Sequence, residues 1–283
     1  MTTSPQMTGI YLGDLRIEYT HLQSGDKIVT RSLLSGDEKP EAFMASDLTA
    51  CSLAGCALTI MAKQADVLKR DITGTTFTVG KDYAAEKPAH IRRIEVVFTF
   101  PEGEWSDKEK TQFERAAMTC PVHKSLGPVV EQVIRLVFPG DAAPELALPV
   151  MARGVYVGNL GVEYTHEASG ARLVTDAPTD NGGRGAAFSP TDLCSSSLAG
   201  CGLTVMGRQA LVLGVDLAGT TFTVKKTMAA DPRRIAKIEV AYTFRGAYSE
   251  KERAQLERAC ASCPVHHSLE GGPDMDVTFN WPD

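Results

Sequence analysis

Four of the seven cysteines stand where the chain repeats itself. Cys56 and Cys201 each close a Ser-Leu-Ala-Gly-Cys run, and Cys120 and Cys263 each open Cys-Pro-Val-His. The thiolate is the nucleophilic form of cysteine, and a pair kept in both copies is harder to dismiss than a lone thiol. The competing reading is that each is a small core residue. That reading suits the other three: Cys51 aligns with Ser196, Cys194 with Thr49 and Cys260 with Ala117, so none of these positions requires sulfur. Cys260 creates Cys260-Ala-Ser-Cys263, a C-x-x-C at a helix end rather than after a strand, and is read as incidental. One cysteine and one histidine per Cys-Pro-Val-His are too few ligands for zinc, so no metal is expected. His123 and His266 read as helix-terminal or core histidines. Cys120 and Cys263 precede what looks like a short helix, whose N-terminus is expected to depress their pKa. Cys56 and Cys201 lie about ten residues into a helix, beyond that end effect, and need a nearby cation to react.

The elements that must position these thiols come in two sets. Residues 9–21 return as 154–166 at an offset of 145, and residues 47–81 match 192–226 at 22 of 35 positions. The offset falls to 144 at Ile94/Ile238 and to 143 at Cys120/Cys263, as two single-residue deletions require. A period this long is a duplicated domain. Residues 7–138 and 152–283 are the expected repeats, with 139–151, rich in turn formers, as linker. Each repeat reads as α+β. Alternation over 10–20 and 155–165 suggests strands, followed by a polar loop. A long helix over about 46–69, and its twin over about 190–213, is apolar on most sides and so is expected to be buried. Strands follow at 75–79 and 91–100, and at 220–224 and 235–244. Capping boxes at Ser106 and Ser249 open a second helix that ends before Cys-Pro, and a last strand closes each unit.

The 283 residues are 43 % apolar and 23 % charged with a net charge of −6, which suits a soluble globular chain and argues against nucleic acid. The N-terminal residues show no signal-peptide pattern, and the apolar run 53–62 is about half a membrane span. With an odd cysteine count, the expectation is a reducing compartment, the cytoplasm by default.

Ser-Leu-Ala-Gly-Cys on a long helix, then Cys-Pro-Val-His-(Lys/His)-Ser-Leu some 60 residues later, resembles the OsmC/Ohr family of osmotically inducible and organic hydroperoxide resistance proteins. The likeness covers both repeats, and the loop Asn181-Gly-Gly-Arg-Gly before Ser189-Pro190 adds to it. It implies a swapped dimer with two long helices inside wrapped β-sheets, here an intramolecular pseudo-dimer, with a further homodimer possible. It implies thiol peroxidase chemistry on organic hydroperoxides: Cys56 and Cys201 peroxidatic, Cys120 and Cys263 resolving, no bound cofactor, and a dithiol such as dihydrolipoamide as reductant. The hydroperoxide-resistance branch pairs an arginine with a glutamate ten residues before the helix cysteine. Those positions are Ser46 and Thr191 here, so the acids expected to serve are Asp47 and Asp192, with Arg172 and its counterpart Lys27 as candidate cations. Two alternatives stand beside this: a non-catalytic protein binding an apolar ligand among Leu53, Ile60, Met61 and Phe98, and a zinc-bound structural protein. Of the two pairs, Cys201–Cys263 is expected to be faster, since its repeat has the glycine loop Gly182–Gly185, the Ser189-Pro190 cap and Arg172.

Overall fold

The computed structural model describes residues 4–142 and 144–282; Ala143, in the expected linker, and Asp283, at the expected end of the second repeat, lie outside them. The first repeat runs β1 (Met7–Gly13), β2 (Arg16–His21), β3 (Lys27–Arg31), α1 (Ala45–Leu68), β4 (Thr76–Tyr83), β5 (Ile91–Thr99), α2 (Asp107–Met118) and β6 (Glu131–Val137). The second runs β7 (Ala152–Gly158), β8 (Gly161–His166), β9 (Arg172–Asp176), α3 (Pro190–Leu213), β10 (Thr221–Ala230), β11 (Arg233–Thr243), α4 (Glu250–Ala261), α5 (Pro264–Leu269) and β12 (Asp274–Asn280).

The alternating stretch at the start of each repeat is a hairpin. Asp14 and Leu15 take φ of 50° and 56°, and Asn159 and Leu160 take 51° and 61°, which turns the chain back on itself. A leucine accepts this conformation because its side chain is buried and its N–H donates to a tyrosine hydroxyl, Tyr11 at 3.1 Å or Tyr156 at 3.2 Å. The loop expected next contains a third strand, β3 or β9, too short and too polar on its outer face to stand out.

Two six-stranded sheets form, in the orders β12-β11-β10-β1-β2-β3 and β6-β5-β4-β7-β8-β9. Each therefore takes three strands from each repeat, joined by the antiparallel pairs β1–β10 and β4–β7. The pseudo-dimer is strand-exchanged. Helices α1 and α3 pack on each other in opposite senses: Thr49 meets Ser197 at 2.8 Å, while Gly55 lies against Pro190. From Ala45 to Ala62 every residue of α1 except Ile60 is buried. That helix has the length and apolarity of a membrane span, but 94 % of its most apolar window is buried inside the protein, as a core helix is. Tyr164 of β8 and Tyr19 of β2 point their hydroxyls at Gly55 and Gly200, the residues before the two helix cysteines.

Candidate active site

Cys56 and Cys201 sit deep in the buried stretch of α1 and α3. The Cys-Pro segment after the next helix folds back over each. Val122 N–H points to Cys56 Sγ at 3.5 Å, and His123 N–H donates to Cys120 Sγ at 3.2 Å. In the second repeat Cys263 caps α5 by accepting from His266 N–H at 3.3 Å, and Val265 N–H points to Cys201. The expected short helix is thus regular in the second repeat. In the first, residues 121–126 form only a turn, with Lys124 N–H on the Cys120 carbonyl and Leu126 N–H on that of Val122. The serine that follows each motif explains how the turn is held. Ser125 Oγ accepts from Ile235 N–H and Ser268 Oγ from Ile91 N–H, each at 2.8 Å, so each Cys-Pro turn is pinned to a strand of the other repeat.

The structure thus brings Cys56 to Cys120 and Cys201 to Cys263, each pair in hydrogen-bond contact. All seven thiols are free and buried. Burial first, then the contact with Cys120, pushes the Cys56 thiol well above its usual range, while Val122 N–H and the Lys226 ammonium pull against it. In the second pair the contact with Cys263 holds Cys201 below the usual value against burial, with help from Val265 N–H and Lys81. Cys263 itself goes up, because burial and the bond to Cys201 outweigh the His266 N–H. The expectation of an end-of-helix depression at Cys263 is overturned: a single N–H does not offset complete burial.

The cations are not those the sequence suggested. Arg172 opens β9 with its side chain outward, beside Arg153 and Glu163, and Lys27 opens β3 exposed and pairs with Glu18 at 2.6 Å. Both lie on outward-facing positions of their strands. Lys226 of β10 and Lys81 of β4 take their place. Lys226 Nζ lies 2.6 Å from Asp192 and also donates to Thr191 Oγ1 and Ser189 Oγ at 2.7 and 3.1 Å. Lys81 Nζ lies 3.2 Å from Asp47 and 2.7 Å from the Tyr83 hydroxyl. His21 approaches Asp192 at 3.9 Å and His166 approaches Asp47 at 3.8 Å. Asp47 and Asp192 are thus buried counter-ions to these lysines. The exchange of strands also exchanges the cations: Lys226 acts on Cys56 and Lys81 on Cys201. The sequence did carry a signal, since Lys81 and Lys226 are equivalent positions closing the longest match between the repeats.

A cavity of about 640 Å³ opens on Cys56. Cys56, Ile60 and Pro121 line one wall and Pro190, Lys226 and Met228 the other, so both repeats build it. Of the four apolar residues expected around a ligand, Ile60 alone lines it; Leu53, Met61 and Phe98 are fully enclosed in the core. Of the features expected to favour Cys201, the Ser189-Pro190 cap lines this cavity instead, as do Thr179, Asp180 and Asn181 just ahead of the glycine loop. Among the described residues no three His, Cys, Asp or Glu side chains gather into a metal-binding group.

The profile of the family described as OsmC-like protein matches residues 182–278. An osmotic stress induced and detoxification response protein from Psychrobacter arcticus is 37 % identical over 49 % of this chain and 100 % of its own, with a TM-score of 0.45. The chain belongs to the OsmC-like family. An organic hydroperoxide resistance protein OsmC from Legionella pneumophila is 21 % identical over 48 % of this chain and 99 % of its own, with a TM-score of 0.39. An organic hydroperoxide resistance protein from Vibrio cholerae, with captopril bound in one of its active sites, is 20 % identical over 49 % and 96 %, also with a TM-score of 0.39. Each relative spans about half of this OsmC-like chain. No curated protein matches it.

Proposed function

We propose that this OsmC-like protein is a thiol-dependent peroxidase that reduces organic hydroperoxides through Cys56–Cys120 and Cys201–Cys263. The observation that carries the reading is the Cys56–Cys120 contact at a cavity with an apolar wall and a lysine ammonium. The Cys56 thiolate attacks the terminal oxygen of ROOH, the O–O bond breaks, and the leaving alkoxide takes the proton given up by the thiol. Cys120 then attacks the sulfenic sulfur, forming the disulfide and releasing water. The sum is ROOH plus two thiols to ROH, water and a disulfide. A dithiol of the dihydrolipoamide kind restores the pair by two exchanges and leaves as its cyclic disulfide, in the reducing setting of the cytoplasm. Lys226, held by Asp192, stabilises the thiolate against burial, and the apolar wall favours alkyl over hydrogen peroxide.

Thiol titration before and after one equivalent of cumene hydroperoxide tests this. Loss of two thiols, with Cys56–Cys120 found by peptide mapping, is the expected result. A protein that binds the compound and loses no thiols is an apolar-ligand binder instead.

A further inference from the structure

Beyond the two thiol pairs, the second repeat places a third thiol beside its own. A separate cavity of about 230 Å³ lies behind α3, and Cys260 and Cys263 both line it, together with Gly202, Tyr242, His266 and Phe279. Cys260 is in the last turn of α4 and Cys263 caps α5, so the C-x-x-C brackets the bend between the two helices. The surroundings differ from the first repeat in step. Gly202, Tyr242 and Cys260 stand where the first repeat has Ala57, Phe98 and Ala117. A Cβ on Gly202 would lie 2.6 Å from the Tyr242 hydroxyl and 2.7 Å from Cys260 Sγ, closer than real contacts allow. The glycine therefore makes room for the sulfur and the hydroxyl together. Cys260 S–H points to Tyr242 Oη at 3.9 Å, and Tyr242 donates onward to the Ala199 carbonyl at 2.7 Å.

We propose that Cys260 is a third redox residue of the second site, taking over the Cys201–Cys263 disulfide as a Cys260–Cys263 disulfide that faces this cavity, where a dithiol reductant attacks it. The proposal rests on the peroxidase reading for the oxidation of Cys201. The step is thiol–disulfide exchange: Cys260 sulfur attacks Cys263 sulfur, the Cys201–Cys263 bond breaks, and the Cys260 proton passes to the released Cys201 sulfur. Nothing is oxidised or reduced overall. Direction follows from the surroundings in which each sulfur is left. Both sulfurs are buried, but Cys201 once released keeps the Val265 N–H and the Lys81 ammonium as partners, whereas Cys260, which burial pushes up to about 12, has the Tyr242 hydroxyl at 3.9 Å. The first repeat, with Ala117 in place of Cys260, must stop at Cys56–Cys120.

The experiment is oxidation of the full chain by one to two equivalents of cumene hydroperoxide, acid quench, alkylation and tryptic mapping. The peptide beginning at Ala259 holds both Cys260 and Cys263 and no other cysteine, so their disulfide registers as an unalkylated peptide lighter by two hydrogens. That species is expected in the wild type; Cys260→Ala should hold Cys201–Cys263 and be reduced several-fold more slowly by dihydrolipoamide, with Cys56–Cys120 unaffected. Diamide treatment of Cys201→Ser, which bypasses the peroxide, should also close Cys260–Cys263. Cys201–Cys263 as the sole product in the wild type, or no closure with diamide, overturns the relay and leaves the peroxidase reading intact. If cumene hydroperoxide forms no disulfide at all while diamide closes Cys260–Cys263, the peroxidase reading falls and the proximity of the two thiols stands.

Discussion

Replacing Gly55 by alanine tests how the exchanged strands grip the helix that carries Cys56. A Cβ at this position would overlap the hydroxyl of Tyr164, which β8 of the second repeat aims at the helix. Tyr164 is fully buried and bonded to Thr175 Oγ1 at 3.1 Å, so it has little room to retreat. Overpacking costs about 1–3 kcal/mol, and displacing the buried hydroxyl pair about 1–3 more. The helix gains about 1 kcal/mol from glycine to alanine. The net is a loss of about 3 kcal/mol, or roughly 5 °C in Tm for a chain of this size. Urea denaturation under reducing conditions, followed by far-ultraviolet circular dichroism, measures it. Tyr164→Phe in the Gly55→Ala background should recover most of the loss, because the nearest remaining ring atom, Cζ, is 3.0 Å from the new methyl. The mirror pair Gly200→Ala with Tyr19→Phe should recover less, since Cζ there is only 2.6 Å away. A Gly55→Ala protein as stable as the wild type, or a Tyr164→Phe that rescues nothing, would refute the reasoning.

Lys226→Met should slow alkylation of Cys56 by iodoacetamide severalfold, because the ammonium favours the thiolate, and leave Cys201 unchanged; residue-resolved mass spectrometry reads both, and equal slowing at the two cysteines would contradict the crossed cations. Cys56→Ser should remove more organic-peroxidase activity than Cys201→Ser, reversing the order expected from the helix cap, because the large cavity opens on Cys56; steady-state rates with cumene hydroperoxide decide it. His21, His123, His166 and His266 are all held below the usual imidazole value, in each case first by burial. Their folded pKa lies below the unfolded one, so the stability they add is complete above about pH 6.5 and is lost as pH falls. The urea midpoint should drop between pH 7.5 and 5.5, and an unchanged midpoint would count against it. Residues 1–138 expressed alone should self-associate in ultracentrifugation, because β1 and β4 lose their partners β10 and β7 and expose sheet edges.

Much of the fold is written in local pattern. The capping boxes at Ser106 and Ser249, the Ser189-Pro190 start of α3 and the all-round apolarity of α1 each report on their own neighbourhood. The helix cysteines and the Cys-Pro cysteines were legible because duplication sorts retained thiols from incidental ones. Lys81 and Lys226 were not, although equally repeated, because nothing local says that a strand lysine faces inward to a buried aspartate. The serine in Cys-Pro-Val-His-(Lys/His)-Ser-Leu carries no local signal for the same reason: its partner is a backbone N–H more than 100 residues away. Arg172 attracted attention by type and loop position, yet strand alternation turns it to solvent.

The crossed cations have a consequence for how such a chain can change. In an assembly of two identical subunits, any substitution lands on both centres at once. Here Lys226 answers to Cys56 and Lys81 to Cys201, so a codon change touches one centre and spares the other. Tyr83 in one repeat and Met228 in the other, or Ala117 against Cys260, are differences that identical subunits could never hold. Fusion has turned an enforced symmetry into two sites that can mutate separately within one interlocked body. The interlocking also means that neither site can be inherited without the other, since each sheet is half made by its neighbour.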